Sequence, residues 1–73
     1  MKKEELRNRL QEENIPSYLY NLDGIGRTDE RFCMEYSDDT WYVFFMERGV
    51  KTICEKFASE DAACEFILGQ LLS

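Results

Sequence analysis

The sequence predicts an α+β fold, in which a small antiparallel sheet of three to four strands carries the N- and C-terminal helices on one face. Two aromatic-rich runs, residues 31–37 and 41–47, flank a short polar turn at Asp38 and Asp39, a pattern typical of a β-hairpin. A third strand-like run, Val50–Phe57, follows a turn at Gly49. With a helical pattern at each end, the predicted order is α-β-β-β-α.

The N-terminal helical pattern covers residues 2–14. Leu6 and Leu10 lie one turn apart on an otherwise charged segment, and Pro16 ends the pattern. This narrow apolar stripe predicts a surface helix. Residues 17–22 could form either a short strand or an extended connection.

The last helix is predicted to begin after Ser59, a good N-cap residue, and to run to about Leu72. Glu60 and Asp61 follow the cap, where negative charge complements the helix dipole. Its core-facing stripe is predicted at the helical spacing of residues 63, 66, 67, 70 and 71.

Length and charge restrict the possible functions. The 73 residues make a single domain, 1–73, and the composition is that of a soluble globular protein. No apolar run approaches the ~20 residues of a membrane span, and we expect a cytoplasmic protein. The net charge of −6 disfavours nucleic acid and favours a basic partner. Double-stranded RNA-binding domains share the element order, but the last helix here has no Lys or Arg for phosphates.

The chemistry-bearing residues predict neither an enzyme nor a cofactor site. The chain has no histidine, and Cys33, Cys54 and Cys64 lack the spacing of metal ligands, so we interpret all three as reduced core thiols. Glu35 and Glu47 could form a carboxylate pair across the hairpin, although acids on a solvated sheet usually serve solubility. The glycines at 24 and 26 lack the Lys and Ser/Thr of a phosphate-binding loop.

A binding surface is the better hypothesis, because residues 41–46 are apolar at every position. A strand with one solvated face would alternate. Either Phe44 and Met46 pack under the helices and the opposite set is exposed, or the reverse holds. Aromatic and Met side chains of this kind are enriched in the centres of protein interfaces.

Several short motifs resemble a known family. They are Asp23-Gly24, the strand start Glu30 to Cys33, the aromatic strand Trp41 to Phe45, the turn Glu47 to Gly49, and Glu60-Asp61 at the start of the last helix. Together they resemble the small immunity proteins found beside polymorphic toxins of bacteria. The resemblance extends from Asp23 to the end of the sequence.

The resemblance implies a cytoplasmic antitoxin of bacterial competition, which binds one cognate toxin domain and blocks its active site or cleft. A basic nuclease would suit an acidic partner of this kind. The predicted partner-binding residues are Glu35, Asp38, Asp39, Trp41, Tyr42 and Glu47. An alternative is a homodimer that packs through the spare aromatic face of the sheet. In the turn motif, we interpret Gly49 as a backbone requirement and Arg48 as the partner of an acid.

Overall fold

A computed structural model describes residues 1–23, 26 and 29–73 of the chain. The elements are α1 (Lys3–Glu12), a 3₁₀ turn (Ser17–Leu19), β1 (Tyr20–Asn21), β2 (Phe32–Ser37), β3 (Thr40–Glu47), β4 (Val50–Phe57) and α2 (Glu60–Leu72). These bounds confirm the predicted helices and the three main strands to within two residues. The loop predicted around Gly24 lies partly outside the described residues.

The four strands form one mixed sheet in the order β1-β2-β3-β4. Strands β2, β3 and β4 are antiparallel as predicted, but β1 runs parallel to β2 with Tyr20 opposite Phe32. The expectation of a wholly antiparallel sheet was therefore wrong for β1. Parallel neighbours need a connection longer than a hairpin turn, and residues 22–31 separate these two strands. A strand of only two residues has no periodicity from which its direction could be predicted.

Both hairpins close with two-residue turns that need left-handed backbone. Asp38 and Asp39 have φ of 52° and 60°, and Arg48 and Gly49 have φ of 52° and 80°. Positive φ at both central positions is the mark of a type I′ turn, whose twist matches that of the flanking strands. Gly49 thus has the predicted backbone role. Among the described residues no ion pair involves Arg48, so its predicted acidic partner is not found there.

Helix α1 ends before Pro16, through Asn14. This residue has φ of 59°, the amide of Ile15 donates to the carbonyl of Leu10, and the amide of Asn14 donates to the carbonyl of Gln11. These two bonds make a Schellman motif with asparagine in the left-handed position. The motif turns Ile15 back onto the core beside Leu10.

The core lies between the two helices and one face of the sheet. It is built by Leu6 and Leu10 of α1, Met34 and Val43 of the sheet, and a set of α2 residues. That α2 set is Ala63, Cys64, Ile67 and Leu68.

Helix α2 begins as predicted, because the Ser59 side chain accepts a hydrogen bond of 3.1 Å from the amide of Ala62. The predicted stripe was wrong at Gln70, which is exposed. The buried arc of α2 is turned toward Cys64 and Leu68, because this helix contacts α1 as well as β3 and β4.

Candidate functional site on the uncovered sheet face

The alternation of β3 decides which of its faces the helices cover. Val43 is fully buried in the helix-side core, and Trp41 and Phe45 share its side of the strand. Tyr42, Phe44 and Met46 therefore lie on the opposite side. The sequence left open which set lies under the helices, and in the structure it is the set of Trp41, Val43 and Phe45.

We call the side of the sheet away from both helices the open face. Strand register places these residues on it: Cys33, Glu35 and Ser37 of β2; Thr40, Tyr42, Phe44 and Met46 of β3; and Lys51, Cys54 and Lys56 of β4. The register shift beside Met46 is a β-bulge, which brings Lys51 opposite Met46.

The centre of the open face is a packed apolar patch. Phe44 is 7% exposed and Cys33 beside it is 1% exposed, although no helix covers them. The ammonium group of Lys51 lies 4.3 Å from the centroid of the Phe44 ring, a cation–π contact. Tyr42 and Met46 flank this ring and are half-buried. A partner that displaced the flexible Lys51 side chain would meet a wider aromatic surface.

Charge on the open face is divided between its two sides. Glu35 lies on the β2 side, directly opposite Tyr42 in the strand register, whereas Lys51 and Lys56 lie on the β4 side. All three side chains are exposed. The face is therefore polarised rather than uniformly acidic, and a partner that binds it should carry the reverse arrangement.

The turn between β2 and β3 adds two carboxylates next to this face. Asp39 accepts a 3.0 Å hydrogen bond from the hydroxyl of Tyr36, and the Asp38 carbonyl accepts one of 3.3 Å from the Thr40 hydroxyl. These bonds hold the turn in place, while both aspartates remain exposed. The turn thus presents two negative charges at the end of the sheet, and Tyr36 holds the carboxylate of Asp39 in place.

The predicted partner-binding residues do not form one cluster. Glu35 and Tyr42 are cross-strand neighbours on the open face, and Asp38 and Asp39 lie at the adjoining turn. Trp41, by contrast, is on the helix side of β3.

Glu47 also lies on the helix side, at the far end of the strand. Glu35 pairs with Tyr42, five residues before Glu47, so the two acids are separated by roughly 17 Å along the strand as well as by the sheet itself. The carboxylate pair considered from the sequence therefore does not form.

Trp41 has a different setting from the one expected of an exposed anchor. Its ring packs on that of Tyr36, with centroids 4.8 Å apart, and it borders the core. The two rings form one wall of a cavity of about 350 Å³ at the outer edge of β2. The other lining residues are Leu22, Cys33, Met34 and Phe44, with Lys3, Asp23 and Glu35 as its charged members.

An ion-pair cluster borders this cavity through Lys3 and Asp23. The Arg7 guanidinium lies 3.1 Å from both carboxylate oxygens of Asp23, and the Lys3 ammonium lies 3.2 Å from the same carboxylate. The hydrogen bond from Arg7, followed by that from Lys3, lowers the pKa of Asp23 below its usual value. Asp23 therefore stays ionised at neutral pH and already has cationic partners.

The three cysteines do not share one environment. Burial raises the pKa of the Cys33 thiol, and burial together with nearby Glu60 raises that of Cys64 to about 11. Both fit the expected core thiols, but Cys54 is exposed on the open face, so that prediction was wrong for it. Cys54 lies on the solvated side of β4, and the apolar residues near it in the sequence do not indicate this exposure. Within residues 1–23, 26 and 29–73, no group of three or more potential metal ligands occurs.

Sequence reasoning missed part of the open face, namely Cys33, Phe44, Lys51, Cys54 and Lys56. Period-two alternation would have found them once one residue of β3 was known to face inward. Because β3 is apolar on both sides, the sequence contains no signal that makes that first assignment.

Comparison of the chain with protein families, curated proteins and solved structures finds no match. In the described part of the chain, neither helix has the length and apolar character required to span a membrane.

Proposed function

We propose that this chain is an immunity protein that neutralises a cognate bacterial toxin domain by binding it stoichiometrically and occluding it. The observation that carries the proposal is the open face, a sheet surface with an aromatic centre that neither helix covers. Tyrosine, phenylalanine and methionine are enriched in the cores of protein interfaces, and this face presents all three. The resemblance of the motifs between Asp23 and Asp61 to immunity proteins supplies the biological context.

The size of the molecule supports the use of this whole face. A stable interface buries roughly 800 Å² on each partner. The chain exposes 4796 Å² in total and measures 30 × 27 × 22 Å. A standard interface would therefore cover about one sixth of its surface, comparable to one broad side of the molecule. Tight binding of a toxin would engage the open face together with the turn at Asp38 and Asp39.

The charges suit a basic partner at one side of that contact. Glu35, Asp38 and Asp39 lie together at the β2 side of the sheet and its turn, and none of them takes part in an ion pair within the described residues. Acidic groups placed in this way steer a basic domain, such as a nuclease, and raise the association rate at low salt.

The experiment is co-expression with the C-terminal domain encoded by the neighbouring toxin gene. We expect the chain to restore growth of the host cells and to bind the purified domain one-to-one in calorimetry. Charge reversal at Asp38 and Asp39 should slow association and reduce its salt dependence. The double variant Glu12→Lys/Glu13→Lys, at the far end of α1, is the matched control. Failure to protect cells, together with no binding at 10 µM, would refute the proposal.

A homodimer that packs two open faces together is the second candidate. The Phe44 patch favours it, because a two-fold axis through that patch would pair identical apolar surfaces, and Glu35 on one side could meet the lysines of the other chain. Sedimentation at low micromolar concentration distinguishes the two states. A clean monomer would contradict the dimer and leave the open face to a different protein.

A further inference from the structure

We propose that the outer edge of β2 and the cavity beside it form a peptide-binding site, which takes an extended segment of the partner and receives an arginine side chain in the cavity. This inference rests on the proposed function, since the segment belongs to the toxin domain, and it specifies a contact at the edge of the sheet that adjoins the open face and shares Glu35 with it.

The sheet leaves this edge of β2 unpaired. Strand β1 pairs with β2 only at Phe32 and Cys33, and β2 continues to Ser37. Within the described chain no other strand pairs with this side of β2. Because Ser37 and Thr40 flank a two-residue turn, their peptide groups face each other, and those of Met34 and Tyr36 consequently point outward. An extended peptide could continue the ladder where β1 leaves it.

The opposite edge of the sheet is protected against the same kind of pairing. Strand β4 carries Lys51 and Lys56 and is distorted by the bulge. Edge lysines and a bulge both disfavour the addition of another strand. The segment of β2 from Met34 to Ser37 contains no lysine, proline or bulge. Of the two sheet edges that the described residues form, the β2 edge is the one open to a partner strand.

The cavity of about 350 Å³ adjoins this edge and has room for one long side chain. The rings of Tyr36 and Trp41 form one wall, a surface on which a planar guanidinium stacks well.

The carboxylate of Glu35 favours a cationic side chain in the cavity. Lys3, Arg7 and Asp23 pair with one another, whereas no ion pair involves Glu35 in the part of the chain that the structure describes. An arginine in the cavity would supply the cation that the Glu35 carboxylate lacks.

The direct test uses a blocked hexapeptide of alternating valine and threonine in which one central residue is arginine. Trp41 is the only tryptophan of the chain, so its fluorescence reports on the cavity without a label. We expect a saturable change with a sub-millimolar dissociation constant. The same peptide with citrulline in place of arginine should bind at least tenfold more weakly. A peptide with alternate amides methylated, which cannot pair with a strand edge, should not bind.

On the protein, Glu35→Gln should weaken the arginine peptide about fivefold to tenfold, and Glu55→Gln on β4 is the matched control. No saturable change in fluorescence at 10 mM peptide, or equal affinity for the citrulline peptide, would overturn the site. Binding of the neighbouring toxin domain with unchanged Trp41 fluorescence and full affinity in Glu35→Gln would overturn it while the proposed function stands. Binding of the arginine peptide without binding of the toxin would support the site and refute the function.

Discussion

The two sides of β3 use similar residues for different purposes. On the helix side, Val43 is completely buried, and Trp41 and Phe45 contact other aromatic rings. On the open side, Tyr42, Phe44 and Met46 form a patch, and the Lys51 ammonium lies over the Phe44 ring. One strand therefore supplies both the core of the domain and its candidate interface.

The difference has a consequence for how the protein tolerates change. The helix side joins α1, α2 and the sheet, so a lost side chain there leaves a cavity between elements that cannot close fully. On the open side, Tyr42 and Met46 are only half-buried, so loss of either side chain leaves a smaller void than loss of a fully buried one. We therefore expect stability to depend on one face and binding on the other.

The largest expected effect is on the helix side, at Ile67. This fully buried residue of α2 joins the core cluster, and Ile67→Ala should lower the free energy of unfolding by about 2–5 kcal/mol. Small domains have a total stability of only about 5–15 kcal/mol, so much of it would be lost. Urea unfolding followed by circular dichroism measures the change. Leu72→Ala, at a residue 43% exposed on the same helix, is the control, and equal unfolding midpoints for the two variants would contradict the assignment of the core.

The next effect is on the open side, at Tyr42. Tyr42→Thr replaces one residue of high strand propensity with another, so the free energy of unfolding should fall by less than about 1 kcal/mol. Affinity for the toxin domain should fall by about 2 kcal/mol, which is roughly thirtyfold, as for a central interface aromatic. Calorimetry on the purified pair measures this affinity. Tyr18→Thr, on the 3₁₀ turn, should leave it unchanged, and equal losses in both variants would count against the open face.

The cysteines compare buried and exposed positions chemically, since Cys33 and Cys54 share the open face and differ in exposure. With a disulfide reagent at pH 8, one thiol of the native chain should react quickly, and we assign it to exposed Cys54. Cys33 and Cys64 should react only on unfolding, because both are buried and have raised thiol pKa values. A partner on the open face should slow Cys54 at least tenfold. Cys54→Ser should abolish the fast phase, and no slowing in the complex would move the interface elsewhere.

The smallest effect concerns Asp23. Its folded pKa is lowered by Arg7 and Lys3, so its stabilising contribution is complete above the unfolded value of about 3.9 and is lost as the pH falls through the folded value. Asp23→Asn should cost less than about 1 kcal/mol at pH 7, because the pair is exposed, and should flatten the loss of stability in acid. Unfolding midpoints between pH 2 and pH 7 measure this. Asp38→Asn, at a turn residue with no ion pair among the described residues, is the matched control.

Much of the fold was predictable because its signals are local. Ser59 with its following acids marks the start of α2, and the bounds of β4 are those of the predicted strand. Gly49 marks the second hairpin in the same way. Each of these features depends on backbone geometry or capping within a few residues, so a short stretch of sequence is enough to predict it.

The candidate site was harder to predict because it depends on which elements meet. Trp41 remains a predicted partner-binding residue, and its place on the helix side of β3 is set by how the helices pack. Gln70 was expected in the core, but contact with α1 turns α2 toward Leu68. The parallel direction of β1 depends likewise on long-range packing. None of these outcomes has a local signal in a chain whose central strand is apolar on both sides.

The contact between α1 and α2 predicts the order in which the elements of the fold come together. The amide of Lys3 donates a 2.7 Å hydrogen bond to the carboxylate of Glu60, a residue 57 positions further along the chain. During synthesis the β2–β4 meander is complete before α2 exists, whereas α1 emerges first and can complete the burial of Leu6 and Leu10 only when the last helix forms. Closing so long a segment is entropically slow, and we expect the docking of α1 to be the final step of folding. In hydrogen exchange, α1 should accordingly be the first element to open.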